Sequence, residues 1–418
     1  MRVVYPTCCV IDVHKSFLVA TIIRTEGFVP NYSKKRFSTF NGDILRLKQW
    51  LIENDCYDVC MESTGKYWVP VYNLLEDKIR VVIASPKWVA AIKGNKDDTK
   101  DSKWIGDLFR LGLVRSSYIP EKPIRVLREY TRYRVKLVNC RSSEKNHYQN
   151  SFTVCNVALD SVVSDMFGVS AAAITDYLTK TDSFDPEHCV SLLKGTLKGK
   201  AETVLNSIEG YSISAAQRER MSIVRSHMEY VDETIDKLDA AIDGLVKPYE
   251  SQIALLCSIP GVERRSAISI ISEIGVDTSQ FDSSRRLCAW AGLTPGNNQS
   301  AGKKKSVRIT RAGVYLKPAL VQVAHAAVAS KNSPYYKNKY ERISKRRGKK
   351  RAIIAIARMI LTAAYNMLTT GELWNPTDLF KVDLPPVLLE KQKQKAINNA
   401  IKLLVSQGLI EVGAVKAV

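Results

Sequence analysis

Over roughly the first 115 residues, apolar and polar positions alternate in short runs, and beyond them helical spacing takes over. TCCVIDV (7–13) and FLVATII (17–23) are β-branched apolar runs split by three residues, the pattern of a hairpin. KKRFSTF (34–40) reads as a third, edge-like strand. GDILRLKQWLIEN carries Ile44, Leu47 and Leu51 at helical steps, YDVCME is a short strand, and YWVPVYNLLED is a helix interrupted by Pro70. RVVIAS is a strand closed by Pro86.

The resulting order, βββαβαβα, is that of an RNase H-like mixed sheet, an α/β domain expected over 1–120. In that topology the first and fourth strands are neighbours. Asp12 ends the first and Glu62, in MESTGKYW, ends the fourth, so two acids share one end of the sheet, where open α/β sheets place their sites. Carboxylates so placed repel unless a cation lies between them. KDDTKDSKWIGDLF supplies two more on the following helix: Asp98 and Asp101 are three apart and share a face, with Asp97 as a rival for Asp98. Trp104, Ile105 and Leu108 are expected to continue the side that meets the sheet. Four oxygen donors favour Mg²⁺ or Mn²⁺ over zinc. Taken singly, each acid also fits an ordinary role as a strand-end, N-cap or first-turn residue.

Residues 121–250 read as a helical, coiled-coil region. Met221, Val224, Met228, Val231, Ile235, Leu238, Ile242 and Leu245 alternate steps of three and four, a heptad seam. Its partner is either PIRVLREYTRYRVKLVNCRSSEK folding back or the same helix in another subunit. The 150–210 stretch is helical by composition. From 251 to 370 a mainly helical domain is expected, opening with CSIPGVERRSAISIISEIG. This stretch fits half of a helix-hairpin-helix, whose turn amides can hold phosphate, and equally an ordinary helical hairpin. Gly292, Pro295, Gly296, Gly302 and Gly313 mark loops. After Pro385 and Pro386, 387–408 reads as a helix within a tail of 371–418.

Charge changes this picture. The formal balance is +20, and between 301 and 350 there are fifteen Lys or Arg against one acid, Glu341. A field of that sign attracts polyanions. Lys303, Lys304, Lys305, Arg308, Arg311, Lys345, Arg346, Arg347, Lys349 and Lys350 are the expected nucleic-acid contacts. Nine scattered cysteines without paired CxxC spacing, and no leader-like N-terminus, fit a reduced cytoplasmic compartment. The apolar stretches near 316–330 and 352–368 carry Lys317, His325 and Arg358, and read as too short and too interrupted to span a bilayer.

The blocks IDVHK, MESTGKYW, DTKD, IPGV…EIG, AGLTPGNNQS and RAGVYLKPAL occur in an order that resembles the DEDD-type insertion-sequence transposases. That family pairs an N-terminal RuvC-like domain with a C-terminal transposase domain and works with a structured bridge RNA. The likeness covers about 5–120 and 250–370. It implies that Asp12, Glu62, Asp98 and Asp101 form a metal-binding tetrad and that Ser300 is the nucleophile of a serine–phosphate link, with Ser306 as the alternative. It further implies donor and target DNA as substrates and bridge RNA pairing with both. A homo-oligomer, dimer or tetramer, would assemble each active site from two subunits in a prokaryotic, nucleoid-associated setting. Val10 stands where the family commonly has Gly, and Ala301 separates Ser300 from Gly302. Without the resemblance, a RuvC-like junction endonuclease using the acids alone, or a non-catalytic basic scaffold, fits the same residues.

Overall fold

The computed structural model describes residues 2–27, 29–62, 65–84, 98–114, 116–181, 183–296, 298–300, 303–306, 308–331 and 333–376, with positions 390, 394 and 397. At 98–102, 298–300 and 303–306 the description is of the backbone. Asp97, Gly302 and, apart from those three positions, the helix expected at 387–408 lie outside it. The chain divides into two compact units, Met1–Glu121 and Lys122–Val418.

In the first unit, β1 (Thr7–Val13), β2 (Phe17–Glu26) and β3 (Val29–Ser38) are antiparallel, followed by α1 (Asn41–Glu53), β4 (Asp58–Glu62), α2 (Trp68–Leu75), β5 (Arg80–Ala84) and α3 (Asp98–Arg110). The strands lie in the order β3-β2-β1-β4-β5, with β4 parallel to both β1 and β5. The first and fourth strands are thus neighbours, as the order of elements requires. Both faces are covered, which is why β1 is apolar almost throughout. Cys9 and Ile11 join Val59 and Met61 under α1 and α2, where Ile44, Leu47 and Leu51 are fully buried. Cys8, Val10 and Cys60 face Ile105 and Phe109 of α3. β3, at the edge, shows mostly exposed residues including Lys34, Lys35 and Arg36, which discourages further strand pairing.

Two local expectations change. Pro70 does not interrupt α2, because it sits in the first turn, where a missing N–H costs no intrahelical bond. Trp104 is 40% exposed, and the face of α3 that meets the sheet runs through Ile105, Gly106 and Phe109 instead.

In the second unit, α4 (Lys122–Thr153) and α8 (Ala215–Leu245) form a long pair, with α5 (Val169–Lys180), α6 (Pro186–Ser191) and α7 (Ala201–Asn206) between them in sequence. A Ser214–Gln217 capping box starts α8. The seam residues Met221, Met228, Val231, Ile235 and Ile242 are buried, and the seam's partner is α4 of the same chain. Arg134 Nε lies 2.6 Å from Asp239 and Arg141 2.9 Å from Asp232, so numbers rise along α4 as they fall along α8 and the helices are antiparallel. The connecting stretch packs Leu159, Ile174, Leu178, Val204 and Ile208 into one core with Phe152 of α4 and Met221 and Met228 of α8.

The remainder comprises α9 (Glu250–Cys257), α10 (Arg264–Ile274), α11 (Ser284–Trp290), β6 (Asn298–Ser300), β7 (Lys303–Ser306), α12 (Leu316–Ala329), α13 (Tyr335–Arg347) and α14 (Lys349–Thr370). α14 is the hub: Ala352, Ile356, Ala357, Ile360, Leu361 and Ala364 are buried, and it contacts α9, α11, α12 and α13. By length and composition this helix could cross a membrane, contrary to the expectation that it is too short. Its buried face instead packs on neighbouring helices of the same unit.

A charged clamp ties α4 to α10. Arg132 donates to both oxygens of Glu273 at 2.7 and 2.8 Å, and Arg128 donates to the Ser272 and Glu273 carbonyls. Glu273 is 5% exposed, so removing its partner strands a buried charge. Arg132→Met is expected to lower stability in urea by about 3 kcal/mol. Arg264→Met, which breaks an exposed pair with Glu250, should cost under about 1 kcal/mol.

Candidate active site

β1 and β4 run parallel with Cys9, Val10 and Ile11 opposite Val59, Cys60 and Met61. One step further along each strand stand Asp12 and Glu62. Because side chains alternate across a strand, Asp12 shares the face of Cys8 and Val10, and Glu62 that of Cys60. Both acids therefore belong to the α3 side of the sheet.

The direction of α3 decides which of its ends meets them. At its C-terminal end, Phe109 stacks on Tyr5 with ring centroids 4.9 Å apart, and the Arg110 carbonyl accepts from the Val4 and Tyr5 amides at 2.8 and 3.0 Å. Further back, Gly106 approaches the sheet so closely that a Cβ there would stand 2.3 Å from Ile23 Cδ1 and 3.4 Å from Val10 Cγ2. The helix is thus antiparallel to β1. From Gly106 to Asp101 it climbs roughly 7.5 Å at 1.5 Å per residue. From Val10 to Asp12 the strand climbs roughly 6.6 Å. Asp101 in the first turn of α3 comes about level with Asp12 and Glu62, and Asp98, three residues earlier, stands about 4.5 Å further along the helix axis.

Asp12 is one-third exposed, and its Oδ2 lies 3.0 Å from His14 Nε2. The His14 ring stacks on Phe17 at 4.3 Å, and the Arg36 guanidinium lies 4.0 Å over that same Phe17 ring. The His14 amide donates to the Phe17 carbonyl, closing the β1–β2 turn. His14 is thus both a turn residue and a direct partner of Asp12, a contact that residue spacing alone does not reveal.

As to a metal, the backbone brings a carboxylate-bearing position from each of β1 and β4, and two from α3, to one sheet end. These are oxygen donors only, which fits Mg²⁺ or Mn²⁺. Among the described residues no cluster of three or more His, Cys, Asp or Glu forms a ready ligand set, and the side chains of Asp98 and Asp101 are outside that description. Cysteine offers no substitute: burial pushes the thiols of Cys8, Cys56 and Cys60 up to about 12, so they stay neutral.

In the second unit, β6 and β7 form a hairpin with Ser300 paired to Lys303, Gln299 to Lys304 and Asn298 to Ser306. The register jumps at Lys305, the residue left over. Ser300 ends its strand, at the tip of the hairpin. Behind it, Gly292 and Gly313 bring the AGL and RAG segments together: a Cβ on Gly313 would stand 2.3 Å from the Ala291 carbonyl oxygen. The Pro260–Gly261 turn lies against Ala327 of α12.

Arg308, Arg311, Lys345, Arg346, Arg347, Lys349 and Lys350 are all exposed. The cations ending α13 suit that helix's dipole, but Lys349, Lys350 and Arg351 occupy the first turn of α14, where positive charge is unfavourable by about 0.3–1 kcal/mol each.

The contact at Gly106 carries its own test. Gly106→Leu is expected to destabilise the protein by about 1–3 kcal/mol in urea unfolding. Gly42→Ala, in open space on α1, should change stability by less than about 0.5 kcal/mol.

Residues 9–156 match the family model of the DEDD transposase of the IS110 type, and residues 253–341 match the model described as Transposase IS116/IS110/IS902 family. Over 149 residues the chain is 31% identical to the Transposase for insertion sequence element IS1111A of Coxiella burnetii, covering 34% of this chain and 39% of that protein. It is 28% identical over 159 residues to the Pilin gene-inverting protein of Moraxella bovis, covering 35% and 47%. The chain aligns with less than half the length of these curated relatives. Two segments that match transposase models of the IS110/IS116 type therefore follow one another along this chain, with the candidate acids in the first and Ser300 in the second.

Proposed function

We propose that this protein is the transposase of a mobile element and that it cuts and rejoins DNA with an RNase H-like, RuvC-like acidic site and a serine. One observation supports the reading: α3 packs antiparallel on β1, so its acidic first turn runs towards the end of the sheet that carries Asp12 and Glu62. The relatives' names, a transposase and a gene-inverting protein, both describe rearrangement of DNA.

In this reading Asp12, Glu62, Asp98 and Asp101 hold Mg²⁺ or Mn²⁺. Such ions, when bound, supply positive charge to the attacking and leaving oxygens of a phosphoryl transfer. His14 holds one Asp12 oxygen in place and leaves the carboxylate oriented. The Ser300 hydroxyl forms an ester with the scissile phosphorus as a strand 3′-oxygen leaves, and reversal onto a new 3′-hydroxyl rejoins the DNA. Lys303, Lys304 and Lys305, on the same hairpin, neutralise phosphates around it. The finer elements of the reading are a bridge RNA that pairs with donor and target DNA, and a dimer or tetramer in which the acids of one subunit serve the serine of another. The boundaries at 120, 250 and 370 belong to it as well.

Purified protein incubated with element-end DNA provides the test. Asp12→Asn should lower strand cutting by at least about 10³-fold. Ser300→Ala should abolish both strand exchange and the covalent protein–DNA adduct; retained cutting without an adduct would instead identify an endonuclease working by the acids alone. If Asp12→Asn changes nothing, the protein is a binding scaffold.

Replacing Lys303, Lys304 and Lys305 together with Ala should weaken duplex binding across sequences. The salt slope should fall by about 0.9 for each phosphate that is no longer neutralised. Fluorescence anisotropy at several salt concentrations measures both.

A further inference from the structure

A groove of about 1380 Å³ runs along the outer face of α14 in the second unit. Ile354, Met359 and Ala363 of α14 line it, half-buried beside the helix's buried stripe, together with the buried Met367. Arg308, Arg347, Lys350, Arg351 and Arg358 line it as well, and all five are exposed. Among the described residues, no ion pair with a carboxylate involves Arg347, Lys350, Arg351 or Arg358, and Glu372 is the acid in the lining. Tyr335 and Trp374 stand at the far end, with the indole fixed by its Nε1 donating to the Tyr336 hydroxyl at 3.3 Å and its amide donating to Ser258 Oγ at 3.0 Å.

An apolar floor, a row of guanidinium groups and a fixed aromatic pair match one kind of partner. Arginine forks suit phosphates, and aromatic faces accept bases of any sequence. From Arg351 to Arg358, both on α14, the helix covers roughly 10.5 Å, which is about three phosphates of a stacked strand at 3.4 Å each, and Arg347 stands across the Gly348 break at the end of α13. A duplex keeps its bases inside the stack and would meet only the cations, leaving the floor wet. An unpaired strand can lay its bases on the floor while its phosphates follow the arginines.

We propose that this groove holds an unpaired DNA strand, with phosphates along Arg347, Arg351 and Arg358 and bases against Met359, Ala363 and Trp374. The choice of DNA rests on the proposed function, since cutting and exchanging strands requires DNA with its pairing open. The groove lies largely beyond the matched transposase segment, which ends at residue 341, and it takes in Pro295, Arg308 and Ile309 at the base of the serine hairpin.

The test uses the full chain in EDTA with fluorescein-labelled dT20, a 20-base-pair duplex and rU20. Trp374→Ala should weaken dT20 binding by about tenfold while duplex affinity stays within about twofold, and Trp374→Phe should restore it. Arg351→Gln, an exposed change that leaves the core intact, should lower the salt slope for dT20 by about 0.7. A 5-iododeoxyuridine strand should crosslink to peptides from the groove. Equal losses on duplex and single strand, tighter binding of rU20 than of dT20, or crosslinks confined to other surfaces would each overturn the proposal. No cleavage is needed, so an inert acidic site leaves this result untouched, and a failed groove leaves the strand-exchange assay to be judged separately.

Discussion

Everything in the first unit turns on how closely α3 can lie against β1. Two acids at adjacent strand ends repel each other, and they are tolerable together only if something positive approaches from the side they face. That side is the one α3 covers, and Gly106 is the residue that lets it settle there, with no room for even a methyl group before Ile23 is met. The helix's direction then follows from its far end, where Phe109 and Arg110 are tied to Tyr5 and Val4. A helix anchored at one end and pressed flat in its middle has little freedom in where its first turn falls.

The second unit uses charge in two distinct ways. Along α4, arginines are consumed internally: Arg132 and Arg134 meet Glu273 and Asp239, which are largely buried, and set the register against α10 and α8. Along α13 and α14 the cations remain exposed, and three of them sit where their own helix dipole opposes them. The first group contributes to the fold. The second leaves positive charge at the surface, three of its members against the dipole of their own helix.

Much of this was legible in the sequence because short strands and amphipathic helices declare themselves by period. The β1–β2 hairpin, the charged edge of β3, the buried stripe of α1 and the adjacency of β1 and β4 all follow from patterning and from the order of elements. What patterning misread was local. Trp104 looked like a core residue because bulk normally seeks the core, yet the tight approach at Gly106 rotates the contact face towards Ile105 and Phe109. The seam of α8 could not name its partner, because a heptad stripe is satisfied equally by its own chain or another. The His14–Asp12 contact depends on a turn geometry that spacing does not encode, and the groove on α14 is assembled from segments as distant as Arg308 and Trp374.

The most direct test of the central claim is a crystal structure of the protein grown with Mn²⁺, with the ion located by anomalous scattering. The account predicts a peak within about 2.0–2.2 Å of carboxylate oxygens from both Asp12 and Glu62, with α3 supplying at least one more. Ordered carboxylates with no such peak, or Mn²⁺ bound elsewhere while Asp12 and Glu62 turn away from each other, would contradict it.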